Sequence, residues 1–244
     1  MQLDPRVLDE PSEQRHPATR VPLDVTRLRE NRVVLPNDPG PAAQAYRMLR
    51  TQILQRARQH GVRSLGVVSA VDGEGKTLTA LNLALGIAAE ANQEVLLVDL
   101  DLRRPSLASM LGMKVEQGLE AWFAGYITIG EICHGLEGID GLEVIPTLAP
   151  VRSSSDALAS RRAQDMLMDL KIVRRHGFVI FDLPPVLLTD DYMTVAPLLD
   201  AVVLVTSEGV TKRDDVTRTR EMLGSVRLLG TVLNRASESE KRAY

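Results

Sequence analysis

The chain has 244 residues, of which 44% are hydrophobic and 25% are charged, and its formal net charge is −3. This composition predicts a soluble globular protein with one substantial α/β domain, and the acidic balance argues against nucleic-acid binding. One cysteine, Cys133, excludes an internal disulfide and a cysteine-only metal site. The sequence has neither a bilayer-length apolar run nor a signal-peptide core, which predicts a cytoplasmic protein without direct membrane insertion.

The N-terminal region differs in composition from the rest of the chain. Residues 1–41 contain seven prolines and many charges, which predicts an extended or flexible segment. Within it, the pattern at 23–28 predicts a short docked element. A helical apolar period follows over 42–60, and the folded domain is predicted to cover 42–235, followed by a short polar tail at 236–244.

Strand and helix patterns alternate through the predicted domain. Several strands are nearly continuous apolar runs, which is typical of parallel strands buried on both faces. The predicted strands are 64–69, 94–99, 142–146, 177–182, 200–206 and 227–233, and the predicted helices are 76–91, 105–111, 116–124, 128–134, 156–175, 191–198 and 212–223. The alternation predicts an α/β fold with a doubly wound, mostly parallel sheet flanked by helices, whose ligands bind at the carboxyl ends of the strands.

A glycine-rich stretch lies between the first of these strands and its helix. Residues 69–77 read Ser-Ala-Val-Asp-Gly-Glu-Gly-Lys-Thr, close to the phosphate-loop (P-loop) pattern, with Ala70 replacing the first glycine. Backbone N–H groups around Gly73 and Gly75 can point at phosphate oxygens, Lys76 adds positive charge, and the Thr77 hydroxyl can hold Mg²⁺. The alternative is a glycine-rich turn without a ligand.

An asparagine at the end of the last predicted strand is a candidate for base recognition. The amide of Asn234 can both donate to and accept from a purine edge, so it is a candidate for reading adenine, with a turn-forming asparagine as the alternative. The residues predicted to bind the nucleotide are Asp72, Gly73, Glu74, Gly75, Lys76, Thr77, Leu78 and Asn234.

Carboxylates follow two other strands. Asp99 and Asp101 come at the end of the second strand, and Asp182 ends a later apolar strand before Leu-Pro-Pro. Oxygen ligands of this kind suit Mg²⁺, and an aspartate at a strand end is the Walker B arrangement. The alternatives are an ordinary turn at 99–101 and a rigid proline turn with a capping aspartate at 182–185.

Taken together, these motifs resemble those of the bacterial tyrosine kinases (BY-kinases) and their P-loop ATPase relatives in exopolysaccharide export. The resemblance covers about 42–235 and is carried by the loop at 70–77, the run at 78–84, Asp99-x-Asp101-x-Arg103 and Asp182-x-Pro-Pro. The region from Leu28 through Pro36 to Tyr46 and Arg47 is also similar to the subgroup found beside exosortase systems.

The resemblance implies a protein-tyrosine autokinase that uses ATP and Mg²⁺ and regulates polysaccharide polymerisation. It implies a catalytic set of Lys76, Asp99, Asp101 and Arg103, with Asp101 as the candidate base and Asp99 as the alternative, and metal ligands Thr77, Asp99 and Asp182. It also implies a partner, a membrane-spanning copolymerase on a separate chain, which would recruit this protein to the inner face of the membrane.

Two departures from the family pattern keep other functions open. The last fifty residues contain one tyrosine, the candidate phosphoacceptor Tyr244, instead of a cluster, and Gln44 replaces the glutamate of the ring-forming motif, so a homo-oligomer is a possibility only. One alternative is an ATP-binding or ATP-hydrolysing switch without tyrosine phosphorylation. Another is a Min- or Par-like positioning ATPase, although Val71 stands where those proteins carry a second lysine.

Overall fold

The computed structural model describes residues 19–35, 37–91, 93–173 and 177–237. Within these ranges the strands form an eight-stranded sheet in the order β1-β4-β5-β3-β6-β2-β7-β8. The strands are β1 Thr19–Val21, β2 Ser64–Ser69, β3 Val95–Asp99, β4 His134–Leu136, β5 Ile139–Ile145, β6 Phe178–Asp182, β7 Ala201–Ser207 and β8 Arg227–Asn234. Neighbouring strands run parallel except for the antiparallel pair β4 and β5.

Helices cover both faces of this sheet. They are α1 Val25–Glu30, α2 Pro41–His60, α3 Lys76–Ala88, α4 Leu107–Leu111, α5 Leu119–Phe123, α6 Ser154–Ala159, α7 Arg161–Val173, α8 Asp191–Val195 and α9 Arg213–Met222, with 3₁₀ turns at Gly130–Ile132 and Ala196–Leu198. Apolar side chains of α1 to α4 pack on one face, and those of α5 to α9 pack on the other. In the described ranges, none of the helices combines the length and apolar character needed to cross a membrane.

The central strands supply side chains to both cores. In β3, Leu97 packs in the cluster under α2 and α3, whereas Leu96 and Val98 pack in the opposite cluster. Successive side chains of a strand point to opposite faces, so a strand covered on both sides is apolar at every position. The doubly wound, mostly parallel α/β fold predicted from those apolar runs is confirmed.

The strand order determines where the chemical groups lie. Strand β6 lies between β3 and β2, and the register pairs Asp182 with both Asp99 and Val67. All three strands run parallel, so their carboxyl ends meet at one edge. The P-loop and the two aspartate-bearing strand ends therefore share a single site.

The structure corrects two of the predicted helices. The helix predicted at 128–134 is wrong, because the chain makes only the 3₁₀ turn at Gly130–Ile132 and then enters β4, where it pairs with β1 and β5. The helix predicted at 156–175 is interrupted at Ser160, whose backbone is extended and whose hydroxyl accepts the N–H of Ala163 at 3.3 Å. In both places the local apolar pattern is that of a continuous helix. Strand pairing overrides this pattern in the first segment, and the hydrogen bond from Ala163 N–H to Ser160 interrupts the helix in the second.

The described part of the N-terminal segment is packed, which differs from the extended or flexible segment predicted over 1–41. Strand β1 joins the edge of the sheet, and α1 begins at Asp24, whose carboxylate accepts two backbone N–H groups. Leu28 and Val33 are buried in the core beneath α3 and α4. A few apolar anchors are therefore enough to hold this polar stretch on the domain; residues 1–18 and Pro36 lie outside the described residues.

Candidate functional site

The loop between β2 and α3 has the geometry of a phosphate-binding turn. Gly73 and Gly75 adopt φ angles of 78° and 91°, a left-handed conformation that side chains disfavour. Helix α3 begins directly afterwards at Lys76, and both Lys76 and Thr77 are buried. The N-terminus of this 13-residue helix can therefore present its free N–H groups to an anion.

The ammonium group of Lys76 lies among the carboxylates. Its Nζ is 2.6 Å from Asp101 Oδ2 and 3.7 Å from Asp182 Oδ1, and it donates to Thr77 Oγ1 at 3.3 Å. Burial by itself would lower the pKa of Lys76, but the negative charges of Asp182 and Asp101 outweigh it and raise the pKa. Lys76 is therefore a permanently charged group held at the carboxyl edge of the sheet.

Asp182 is a buried carboxylate with unused hydrogen-bonding capacity. Its side chain has no exposed surface, and neither oxygen accepts a well-formed hydrogen bond from any residue that the structure describes, although the Thr77 hydroxyl and the Lys76 ammonium group lie close enough to lower the pKa of the carboxyl group. Burial raises the pKa of Asp182, and the nearby Lys76 charge offsets part of that effect. A buried acceptor without donors indicates that another group belongs in the site.

This arrangement fits Mg²⁺. The Thr77 hydroxyl and the Asp182 carboxylate supply oxygen atoms, the ligands that Mg²⁺ prefers. The described residues contain no cluster of three or more His, Cys, Asp or Glu side chains that could hold a metal on their own. Mg²⁺ is commonly bound through one or two carboxylates together with phosphate and water oxygens, so a site that is complete only with a nucleotide is consistent with this finding.

Asp99 shapes the loop that follows β3. Its Oδ1 accepts the N–H of Asp101 at 3.2 Å, and its Oδ2 accepts the N–H groups of Ser106 and Leu107 at 3.2 and 3.1 Å. Burial, reinforced by the charge of Asp182, raises the pKa of Asp99 to about 8. Because backbone groups already contact both oxygens, the role of Asp99 as a metal ligand stays a prediction.

The side chain of Glu74 contacts the start of its own loop and the segment that follows β7. It is fully buried, and its Oε2 accepts the N–H groups of Ala70 and Val71 at 2.7 and 3.0 Å. Its Oε1 accepts a hydrogen bond from the Thr211 hydroxyl, which also accepts the N–H of Ser207 at 2.7 Å. Thr211 was not predicted from the sequence, where its only signal is its position just beyond the carboxyl end of β7.

Asn234 contacts the same loop from the end of β8. Its Nδ2 donates to the carbonyl oxygen of Glu74 at 2.9 Å, and its Oδ1 accepts the N–H of Arg235 at 2.9 Å. A side chain at Gly75 would collide with this amide. Asn234 therefore supports the P-loop. Its Nδ2 carries a second hydrogen that can donate to a base, so the recognition of adenine by Asn234 stays a prediction.

The two arginines after Asp101 point in different directions. Arg103, predicted as catalytic, donates to Ser154 Oγ at 3.0 Å and lies 3.4 and 3.5 Å from Asp190 and Asp191, so it contacts the start of α8 and not Lys76. Arg104, which was not predicted, forms an ion pair with Asp72 of the P-loop. The loop after β3 is thus connected by Arg103 to the start of α8 and by Arg104 to the P-loop.

The remaining predicted residues lie outside this cluster of contacts. Leu78 packs against the core beneath α2 and α3, and Tyr244 lies outside the described residues. In the ring-motif helix α2, Arg50 pairs with Glu90 at 3.0 Å within its own chain, and Gln44 is exposed. The possible homo-oligomer and the phosphoacceptor therefore stay predictions.

Comparisons with known proteins show the family of the chain. The ParA family model, described as NUBPL iron-transfer P-loop NTPase, matches residues 62–240. The tyrosine-protein kinase YwqD of Bacillus subtilis is 26% identical over 221 residues, which cover 90% of this chain and 92% of that protein. The tyrosine-protein kinase CpsD of Streptococcus agalactiae serotype Ia is 28% identical over 198 residues, which cover 80% of this chain and 82% of that protein.

A solved structure extends the similarity to three dimensions. The crystal structure of the chimerical protein CapA2B2 has a TM-score of 0.76 and 26% sequence identity, and the match covers 90% of this chain and 95% of that one. The predicted resemblance to the bacterial tyrosine kinases is thereby confirmed. The chain belongs to the ParA family of P-loop NTPases, and its homologues include the bacterial tyrosine-protein kinases.

Proposed function

We propose that this protein is a Mg²⁺- and ATP-dependent protein-tyrosine autokinase that regulates the polymerisation and export of an exopolysaccharide or capsule. The observation that carries the proposal is the position of Lys76, buried at the start of α3 and 2.6 Å from Asp101. A phosphate loop, a cation and a carboxylate within hydrogen-bonding distance are the groups that phosphoryl transfer requires.

Nucleotide binding rests on the P-loop and the first turn of α3. The N–H groups around Gly73 and Gly75 bind the phosphates, and Lys76 neutralises part of their charge. Glu74 and Asn234 hold the loop through the hydrogen bonds that join it to Thr211 and β8. A loop that is already in its binding conformation loses less entropy when the nucleotide arrives.

In the transfer step, the oxygen of a tyrosine hydroxyl bonds to the γ-phosphorus while the bond from that phosphorus to the β–γ bridging oxygen breaks, releasing ADP. We assign the tyrosine proton to Asp101. The Asp101 carboxylate is held by Lys76 at Oδ2 and by the N–H of Arg104 at Oδ1, at 2.6 and 3.1 Å. Positioning and charge stabilisation supply most of the rate in such transfers.

Thr77 and Asp182, with Asp99 behind them, are the residues that would hold Mg²⁺. The ion, when bound, would neutralise charge on the β- and γ-phosphates. Asp182 has the buried, unsatisfied oxygens that such a role needs. The Thr77 hydroxyl lies beside it, 3.4 Å from the Ser106 hydroxyl.

Exposure limits which tyrosines of this chain can accept the phosphoryl group. Tyr192 is buried, and its hydroxyl donates to the carbonyl oxygen of Leu223 at 3.1 Å. Burial raises its pKa to about 12. Tyr126 is 80% exposed, and Tyr244 is the last residue of the sequence. We propose Tyr244 as the acceptor, and Tyr126 is the position against which its labelling should be compared.

The proposed partner is a membrane-spanning copolymerase on a separate chain, whose cytoplasmic segment activates the kinase and recruits it to the membrane. Support comes from the resemblance described above and from the similarity to CapA2B2, a chimeric protein. A homo-oligomer in which one chain phosphorylates the next is part of the same proposal. The predicted domain limits, 42–235 with a tail at 236–244, stay a proposal, and the described residues before 42 pack on the same sheet through β1 and α1.

A second candidate function is an ATP-driven switch of the same machinery without tyrosine phosphorylation. The observation that favours it is the single tyrosine among the last fifty residues. A Min- or Par-like positioning ATPase has less support, because Val71 occupies the place of the second lysine that such proteins carry.

One labelling experiment separates these functions. Purified full-length protein is incubated with Mg²⁺, γ-labelled ATP and a synthetic glutamate–tyrosine copolymer, and phosphotyrosine and released phosphate are measured together. We expect label on tyrosine that is lost in Lys76→Met and kept in Arg161→Ala, a control at an exposed arginine on α7. Tyr244→Phe should remove label from the protein but not from the copolymer.

Three other results would point elsewhere. Label that persists in Lys76→Met would contradict the kinase assignment. Release of phosphate without phosphotyrosine would favour the switch. Mapping of the label to Tyr126 instead of Tyr244 would leave the kinase activity in place and overturn the assignment of the acceptor.

A further inference from the structure

Arg104 and Asp72 form an ion pair between the two loops that flank the proposed phosphate site. Asp72 belongs to the P-loop, and Arg104 belongs to the loop between β3 and α4. Both side chains reach solvent, with 73% of the Arg104 side chain and 39% of the Asp72 side chain exposed. The guanidinium group therefore lies at the rim of the site and not in its buried part.

The backbone of Arg104 is fixed next to the reacting groups. Its N–H donates to Asp101 Oδ1 at 3.1 Å, and Asp101 Oδ2 lies 2.6 Å from Lys76 Nζ. Lys76 is the residue that reaches the outer phosphates of a nucleotide in a P-loop. The Arg104 backbone is therefore linked, through Asp101, to the side chain expected to contact those phosphates.

A triphosphate brings negative charge to a site in which Lys76 and Arg103 are already paired. Lys76 is already paired with Asp101 and lies close to Asp182, and Arg103 is directed towards Asp190 and Asp191. Arg104, in contrast, pairs with an exposed carboxylate at the entrance to the site. It can change partners without leaving a buried charge behind.

The exchange of partners is favourable on physical grounds. An ion pair between exposed side chains contributes little, because water screens it and two long side chains lose freedom. A guanidinium group matches phosphate oxygens with two parallel hydrogen bonds, which are stronger than those to a screened carboxylate. A nucleotide in the P-loop therefore competes well with Asp72 for Arg104.

We propose that Arg104 is a binding residue for the outer phosphates of ATP and that Asp72 is its partner in the nucleotide-free protein. In the bound state Arg104 contacts the triphosphate, which gives the site a preference for ATP over ADP. Asp72 opposes binding, because it competes for Arg104 and places a negative charge beside the phosphates. The inference rests on the proposed function, since it requires a nucleotide in the P-loop.

Calorimetric titration of the full chain with AMP-PNP and with ADP, both with Mg²⁺, tests this proposal. We expect Arg104→Ala to weaken AMP-PNP binding by about 10-fold or more, as for the loss of a charge-assisted contact, and ADP binding by less than about threefold. Arg104→Lys should be intermediate, because an ammonium group lacks the planar fork. Asp72→Asn should strengthen AMP-PNP binding.

Two controls separate a phosphate contact from other effects. Arg161→Ala removes an exposed arginine that is 3.7 Å from Asp165 on α7 and should change neither affinity. The double variant Asp72→Asn with Arg104→Ala should still bind AMP-PNP more weakly than Asp72→Asn. If Arg104 acted only by neutralising Asp72, its removal would have no effect in that background.

The proposal would be overturned by wild-type AMP-PNP affinity in Arg104→Ala, by equal losses for AMP-PNP and ADP, or by the absence of an Arg104 effect once Asp72 is neutral. These results would leave the proposed kinase function standing, provided that the wild-type chain binds nucleotide. A wild-type chain that binds neither AMP-PNP nor ADP would overturn both proposals together.

Discussion

The ammonium nitrogen of Lys76 lies 2.6 Å from Asp101 Oδ2, and both side chains are buried. One residue opens α3, and the other follows β3, two strands away in the sheet. The pair exists because β6 lies between β3 and β2 and brings their carboxyl ends together at one edge. It connects the group proposed to bind phosphate with the group proposed to accept the tyrosine proton.

The first prediction concerns Asp101. Asp101→Asn keeps the size of the side chain but removes its ability to accept a proton, so kcat for phosphotyrosine formation should fall by about 10²- to 10⁴-fold. Affinity for AMP-PNP should not fall, because the lost charge does not bind phosphate and its removal frees Lys76 from a competing carboxylate. Steady-state kinetics and calorimetry measure the two quantities. Asp140→Asn, at an exposed carboxylate, is the control. A parallel loss of nucleotide affinity and rate in Asp101→Asn would indicate that Asp101 has a structural role.

The second prediction concerns the brace beneath the P-loop. Thr211→Val removes the hydrogen bonds to Glu74 and to the N–H of Ser207. The free energy of unfolding should fall by about 1–3 kcal/mol, and AMP-PNP affinity should fall with it, because the loop loses its fixed conformation. Urea denaturation and calorimetry give both values.

A matched variant on α9 tests the specificity of that effect. Thr217→Val removes an exposed hydroxyl that bonds only within its own helix, to the carbonyl oxygen of Arg213 at 3.3 Å. It should leave nucleotide affinity unchanged. If Thr211→Val leaves nucleotide affinity unchanged, the P-loop keeps its conformation without the hydrogen bond between Thr211 and Glu74.

The third prediction concerns Asn234. Asn234→Ala should weaken binding of both ATP and GTP, because the hydrogen bond to the carbonyl oxygen of Glu74 is lost. The affinity for ATP should fall more than the affinity for GTP, if the second Nδ2 hydrogen and the amide oxygen contact the purine edge as predicted. Competition binding with the two nucleotides measures the ratio. Asn31→Ala is the control, because the Asn31 amide donates to the carbonyl oxygen of Met110 on α4 and not to the P-loop. Equal losses of affinity for ATP and GTP in Asn234→Ala would restrict Asn234 to support of the loop.

The fourth prediction concerns the pH dependence of stability. Asp200 accepts the N–H groups of Arg63 and Ser64, each at 2.9 Å, and lies 2.9 Å from Lys171 Nζ. Burial would raise the pKa of Asp200, but the hydrogen bonds and the Lys171 charge together lower it below its ordinary value of 3.8. Its stabilising effect is therefore present above that value and is lost as the pH falls through the lowered pKa of the folded state.

Replacement of Asp200 by asparagine should therefore cost about 1–3 kcal/mol of unfolding free energy at pH 7. The difference from the wild type should narrow below about pH 4, where the carboxylate of the unfolded chain is protonated. Urea denaturation at pH 7, 5 and 3 provides the comparison. A difference that stays constant between pH 7 and 3 would contradict the ionic part of this interpretation.

The strands and the P-loop could be predicted because their signals are local. Residues 95–98 are apolar at every position because both faces of β3 are covered. Gly73 and Gly75 mark a turn whose left-handed backbone conformation is unfavourable for other residues. Strands β1 and β4 were missed because strands of three residues carry no such run. Their positions follow from pairing with β5 and with each other, which no local pattern records.

The sequence by itself determined that a glycine-rich loop of the P-loop type and two strands ending in aspartates are present, since each is encoded within a few consecutive residues. Only the tertiary structure decided which of these groups meet. The strand order β3-β6-β2 brings Asp101 and Asp182 to Lys76, whereas packing turns Glu74 towards Thr211 and Arg103 towards Asp191. The reason is physical: hydrogen bonds and ion pairs depend on distances across the fold, and those distances depend on how the strands and helices pack.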